Sequence, residues 1–238
     1  MESFLGYWNK LALVGQSRFE QVGMPDANEA TIRSIVDEMF YYIPDLGPES
    51  SILEVGCGNG LLLEELQRRG YARLTGTDFS EEMIAKAKEY CRGIDFRALD
   101  SSALNREFER GSFDLIYLHS VTQYFEDQDY FNQFLESSLD LLSKNGCLYI
   151  GDVFNGYVQD YLVQGSRNSR LSRIKRLLGR RERVCAKKNF YLDLANLDQK
   201  HLAERGYKVY PLLEWINGKS LMFKALRYNL LIRPIDVL

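Results

Sequence analysis

Residues 52–60, Ile-Leu-Glu-Val-Gly-Cys-Gly-Asn-Gly, constrain the fold more than any other stretch of the chain. An apolar run ends in an acid, and glycine then recurs at every second position, Gly56, Gly58 and Gly60. A helical apolar pattern follows at once from Leu61 to Leu66. This order of strand, tight loop and helix start lets backbone come close to a ligand, because glycine takes positive φ at no steric cost. It implies a nucleotide-like ligand held against the carboxyl edge of a parallel sheet.

The rest of the chain repeats that rhythm. Strands are expected at 51–56, 72–78, 94–99, 113–118 and 146–153, and helices at 60–69, 81–91 and 127–143. Ser80 stands where a cap for the second of these helices belongs. Upstream, Asp26-Ala-Asn-Glu opens a helix whose apolar positions Ile32, Ile35, Val36, Met39 and Phe40 keep helical spacing, until Pro44 and Pro48 break it. Downstream come a helix at 197–205, a strand at 207–215 and a last strand at 221–232, with Gly218 between the two strands as the turn of an antiparallel pair. The expected fold class is α/β, Rossmann-like and doubly wound. Its sheet is seven-stranded and mostly parallel, with an antiparallel last strand. Length suits a single domain of 238 residues. It divides into an N-terminal helical arm (1–48), a ligand-binding core (50–155), a basic insert after the fifth strand (156–196) and a C-terminal helix with a strand pair (197–238).

Composition narrows the classes. Hydrophobic residues at 45% and charged residues at 26% fit a globule with a full core, and a net charge of −3 argues against a polyanion binder. Cys57, Cys91, Cys147 and Cys185 stand far apart, and only two histidines accompany them, so neither a zinc site nor a disulfide framework is expected. The start lacks a basic region followed by an apolar stretch, which leaves a cytoplasmic protein as the expectation.

The glycine spacing does not fit a dinucleotide. That ligand goes with G-x-G-x-x-G and a helix N-terminus facing a pyrophosphate. Here the spacing is G-x-G-x-G, and Glu54 just before it would repel a pyrophosphate. The acid suits a ligand with a cationic end. A second strand closes on Asp78, which is placed to accept from ribose hydroxyls, and a third on Asp100, which is placed for an exocyclic amine such as that of adenine.

Together these residues resemble class I S-adenosylmethionine-dependent methyltransferases over roughly residues 50–155. The segments stand in that family's order: Glu54-Val-Gly-Cys-Gly-Asn-Gly, Gly76-Thr-Asp-Phe-Ser, Leu99-Asp-Ser, Ser112-Phe-Asp-Leu-Ile and Gly146–Asp152. The resemblance implies S-adenosyl-L-methionine as cofactor. Glu54 and the loop Gly56, Cys57, Gly58 and Gly60 would meet its methionine part. Asp78 would hold the ribose and Asp100 meet the adenine amine, with Phe79 and Ser101 also at the cofactor. A narrower likeness, in Gly76–Ser80, His119–Phe125, Asp129-Tyr and Gly151-Asp-Val, is to methyltransferase domains embedded in nonribosomal peptide synthetases. It fails after Asp152.

Acceptor-side candidates follow the fourth and fifth strands. His119 has an intrinsic pKa suited to a base, and it also stands where it would line the cofactor. Gln123 occupies the slot where relatives carry a histidine. It can position a nucleophile but not deprotonate it. Tyr124 and Asp152 complete the set, with Asp152 either an acceptor ligand or base or a turn acid. His201 is expected on the surface. Tyr7 and Trp8 are expected ahead of a first helix, closing over the pocket or packing on the core.

Residues 165–188 hold ten Arg and Lys against Glu182 alone, with Leu171, Ile174, Leu177 and Leu178 at helical spacing. This basic amphipathic segment suits a solvated lid, a site for a phosphorylated or carrier-bound substrate, a membrane-surface contact, or RNA. A small-molecule O- or N-methyltransferase leads. An RNA methyltransferase is disfavoured, because no Asn/Asp-Pro-Pro-aromatic stretch follows the fourth strand. A non-catalytic cofactor-binding module and a nicotinamide oxidoreductase are the remaining alternatives.

Overall fold

A computed structural model describes residues 3–43, 45–154, 192, 196–213 and 227–235. The arginine-rich segment 165–188 and Gly218 lie outside the described residues.

The chain opens with two helices, α1 (Phe4–Val14) and α2 (Arg18–Gln21). Tyr7 and Trp8 therefore lie inside a helix, not ahead of one. Ser3 starts it by accepting the Gly6 N–H on its hydroxyl. The third helix, α3 (Glu29–Tyr42), begins at an Asn28 capping box. Asn28 Oδ1 accepts from the Ala30 and Thr31 amides, and Thr31 Oγ1 accepts the Asn28 N–H.

A seven-stranded sheet follows: β1 (Ser51–Val55), β2 (Arg73–Asp78), β3 (Asp95–Ala98), β4 (Phe113–His119), β5 (Leu142–Phe154), β6 (Tyr207–Leu213) and β7 (Arg227–Pro234), in the order β3-β2-β1-β4-β5-β7-β6. β1 to β5 run parallel, and β7 is antiparallel to both its neighbours. Helices α4 (Leu61–Arg68), α5 (Glu81–Tyr90), α6 (Leu104–Glu107), α7 (Gln128–Leu141) and α8 (Gln199–Glu204) connect the strands. Ser80 caps α5 through its hydroxyl, which accepts the Met83 N–H at 3.1 Å. The fifth strand starts at Leu142, not 146, since Leu142 pairs with Phe113 before the register shifts.

Period-two alternation divides the core between the two sheet faces. On one face, Ile116, Leu118, Leu148, Ile150, Leu230 and Ile232 pack with Phe131, Phe134 and Leu139 of α7. On the other, Leu115, Tyr117, Tyr149 and Leu231 pack with Val36, Met39, Leu63, Leu66 and Ile84 of the helices opposite. Each such side chain, fully buried, contributes roughly 1.5–3 kcal/mol of transfer free energy. Burial on both faces is why β1 and β4 read as mostly apolar runs, each interrupted by one acid, Glu54 and Asp114. The strand order reverses between β1 and β4. The carboxyl ends of these two strands therefore open the crevice where α/β sheets take ligands.

Candidate active site

The crevice is lined by the glycine loop and by the turn after β4. The loop is fastened to the end of β2, where Thr77 C=O accepts the N–H of Gly56 at 2.7 Å and of Cys57 at 2.9 Å. Asp78 does the rest. Its Oδ2 accepts the Gly58 N–H at 2.9 Å, and its Oδ1 accepts the Ser80 N–H at 3.0 Å. Gly56 sits at φ +73°, and a Cβ there would lie 2.5 Å from Val121 Cγ2. Gly58, at φ +52°, would press on Val22 in the same way. Both the backbone conformation and the space thus require glycine.

A cavity of about 130 Å³ opens over this loop. It brings together Glu54, Gly56, Cys57, Gly58, Asp78, Phe79, His119 and Tyr124 of the sequence candidates. Gly60, Asp100, Ser101, Gln123 and Asp152 are not in its lining. Gly60 is the residue from which α4 starts. Asp100 is exposed, and its Oδ1 accepts from the Ser102 amide and hydroxyl and from the Tyr130 hydroxyl. Ser101 shares a hydrogen bond with the same Tyr130 hydroxyl at 2.9 Å. Burial raises the Asp100 pKa, but the bonds from Ser102 and Tyr130 outweigh it, leaving a net fall.

The two acids in the cavity behave otherwise. Burial pushes Asp78 up to about 6, although the Ser80 and Gly58 amides pull against it. Burial also lifts Glu54 well above the usual carboxylate range, although the neighbouring Tyr117 hydroxyl pulls against it, and the nearby Asp78 adds to the rise. Glu54 Oε2 is buried without a hydrogen-bond donor among the described residues. Neither lysine nor arginine lines the cavity among the described residues. The Cys57 thiol is raised by burial and by both acids, so it stays neutral and unsuited to nucleophilic attack.

Across the crevice, His119 ends β4 and Ser120 follows at φ +58°. The Ser120 hydroxyl donates to Asp152 Oδ2 and lies 3.3 Å from His119 Nδ1. Gln123 is buried and donates from Nε2 to the Ser120 carbonyl at 2.7 Å, which fixes the turn. Tyr124 stacks edge-on against Phe4 and Trp8 of α1, each at 5.2 Å. Trp8, Val22 and Met24 give the cavity a wall from the N-terminal arm. Asn59 ties that arm down by donating to the Arg18 carbonyl at 2.8 Å and to Gln21 Oε1 at 3.0 Å. His201 is exposed and pairs with Glu136 at 2.9 Å, remote from the cavity lining. Ser120 escaped the sequence reading, because its link to Asp152 joins two different strand ends.

Residues 52–146 match the family described as a methyltransferase domain. Over those residues the chain is similar to class I S-adenosylmethionine-dependent methyltransferases. The domain is 38% identical over 115 residues to chondramide synthase of Chondromyces crocatus, a match covering 46% of this chain and 3% of that protein. It is 30% identical over 106 residues to a ubiquinone biosynthesis O-methyltransferase of Sinorhizobium medicae, covering 43% of this chain and 40% of that one. The chain thus spans less than half the length of either relative. Among solved structures, the magnesium protoporphyrin IX methyltransferase of Synechocystis PCC 6803 with bound S-adenosylhomocysteine superposes with a TM-score of 0.58 at 17% identity, covering 96% of this chain and 92% of that one. This last likeness is one of fold. The residues present fit such a cofactor: a glycine cradle that a Cβ would fill, and a buried Glu54 oxygen without a donor among the described residues.

Proposed function

We propose that this chain transfers a methyl group from S-adenosylmethionine to an oxygen or nitrogen of a small molecule. The observation that carries the reading is the buried acid pair Glu54 and Asp78 in a cavity without lysine or arginine among the described residues. Two neighbouring acids out of water favour a partner with a positive end and hydroxyl donors, and disfavour a pyrophosphate. Glu54 takes the cationic amino-acid end. Asp78 accepts ribose hydroxyls on the lone pairs that Gly58 and Ser80 leave open. Gly56, Cys57, Gly58 and Gly60 shape the cradle, Phe79 covers it, and Asp100 and Ser101 take the adenine end.

When bound, the cofactor supplies a methyl group already activated by positively charged sulfur. The protein's part is alignment of an acceptor heteroatom with that methyl. His119 receives the acceptor's proton as the new bond to carbon forms. Asp152 holds the Ser120 hydroxyl, and Ser120 in turn sits beside His119. Gln123 and Tyr124 shape the acceptor's side of the crevice. The arginine-rich segment favours an anionic acceptor. The motifs shared with synthetase-embedded domains, together with the match to chondramide synthase, favour one presented on a carrier.

Calorimetry with S-adenosylhomocysteine and with NAD tests this reading. Saturable binding of the first and none of the second is expected; the reverse would overturn it. The pH dependence has a definite sign. Ribose hydroxyls donate to the ionised form of Asp78, so binding pulls its pKa down from about 6 and releases a proton. Affinity therefore rises as pH climbs through about 6. In a labelled-methyl assay with a small-molecule extract, His119→Gln is expected to lose about 100-fold in rate, far more than any loss of S-adenosylhomocysteine affinity. Equal rates would remove the base assignment.

A further inference from the structure

We infer that Asn229, locked by the buried Glu38, is a positioning residue that aims Asp152 and Ser120 at His119; this rests on the reading of those groups as the acceptor side of the site. The pairing of β5 and β7 is irregular near the end of β5. Ile150 faces Leu230 and Val153 faces Tyr228, so Gly151 and Asp152 together oppose the single residue Asn229. Two residues against one make a β-bulge, a device that turns a side chain out of the ladder's alternation.

At this bulge Asp152 takes φ +59°, a left-handed conformation that Asp tolerates better than most residues but that is out of place within a strand. Such a backbone persists only where its surroundings hold it. Asn229 supplies that hold: its Oδ1 accepts the Asp152 N–H at 2.8 Å, standing in for a ladder carbonyl. The orientation of the amide is not arbitrary. Its Nδ2 donates to Glu38 Oε1 at 2.9 Å, and a flipped amide would face a donor with a donor and an acceptor with an acceptor. Asn229 and Glu38 are only 2% and 7% exposed, so water does not readily substitute for either bond.

The chain of contacts runs from α3 through β7 to the end of β5 and across to β4. Ser120 closes it. Its own φ of +58° is held by its N–H, which donates to the Gly151 carbonyl at 3.1 Å, and its hydroxyl meets the Asp152 carboxylate. Gly151 leaves room for the histidine, since a Cβ there would lie 2.8 Å from His119 Cδ2. A bulge, two left-handed residues and a buried amide–carboxylate pair thus converge on one imidazole. None of these bonds reaches the glycine loop.

The chain's two histidines make the test direct. The imidazole resonances of His119 and His201 are followed by NMR in the ligand-free full chain, with His201→Gln to assign them. In Asn229→Ala the His119 resonances are expected to move and those of His201 to stay. S-adenosylhomocysteine affinity should remain within about twofold of wild type. Glu38→Leu, which frees the amide to turn, should move His119 likewise, whereas Glu38→Gln keeps an acceptor and should not. A merely structural role would lower the melting temperature of Asn229→Ala and leave the folded protein's His119 resonances in place, and that result overturns the proposal. Should Asn229→Ala fail to fold, Glu38→Leu against Glu38→Gln decides it, with equal spectra as the overturning outcome. Wild-type protein that does not bind S-adenosylhomocysteine would instead sink the site reading itself.

Discussion

Glu54→Ala should weaken S-adenosylhomocysteine binding about 100-fold, while Glu54→Gln leaves the ligand-free protein at least as stable as wild type. A hydrogen bond to a charged group is worth about 1.5–3 kcal/mol, and the upper half of that range corresponds to the 100-fold loss. The stability side follows from the ligand-free site. Glu54 is 3% exposed, with Oε2 lacking a donor among the described residues and Asp78 close by. A neutral amide of the same shape removes the cost of keeping two acids together out of water. Melting curves and calorimetry on the same preparations check both halves. Affinity falling in step with melting temperature would mean that Glu54 is a structural residue and not a ligand for the cofactor's cationic end.

The second large effect is expected at Gly56. Alanine there must adopt φ +73° and must place its Cβ 2.5 Å from Val121 Cγ2. The left-handed backbone costs about 1–2 kcal/mol and the overpacking about 1–3 kcal/mol. A total near 3 kcal/mol lowers the melting temperature of a domain this size by about 6–12 °C. S-adenosylhomocysteine affinity should collapse as well, since the clash pushes the loop away from Val121 and the turn after β4. The double variant Gly56→Ala/Val121→Ala separates the two terms, because it removes the clash and keeps the strain. It should recover about half of the lost stability. Full recovery would show that the backbone conformation costs nothing here.

The features legible in the sequence were those written locally. Ile52–Val55 and Leu115–Leu118 are buried on both faces, so they stand out as apolar runs, each closed by a polar or glycine-rich turn. Ser80 announces its helix because a cap acts within three residues of itself. What depends on distant partners was not legible. Ser143-Lys-Asn-Gly146 carries turn chemistry, yet β5 already begins at Leu142 because Phe113 pairs with it there. That Asp100 Oδ1 also holds the Tyr130 hydroxyl, thirty positions on, left no mark in the sequence. Asn229 left one sign, a polar residue inside Tyr228-Asn-Leu-Leu-Ile. Its meaning needed Glu38, almost two hundred positions away.

The double use of Asp78 bears on how the site responds to concentration. One carboxylate holds the Gly58 amide and the Ser80 amide, and with them the shape of the loop and the entry to α5. A ligand that draws on the remaining lone pairs of that carboxylate binds a group whose position exists only when the loop is folded. Occupancy and local folding are then two readings of one equilibrium. By mass action, the loop of a protein in a cofactor-rich solution opens less often than that of the same protein alone.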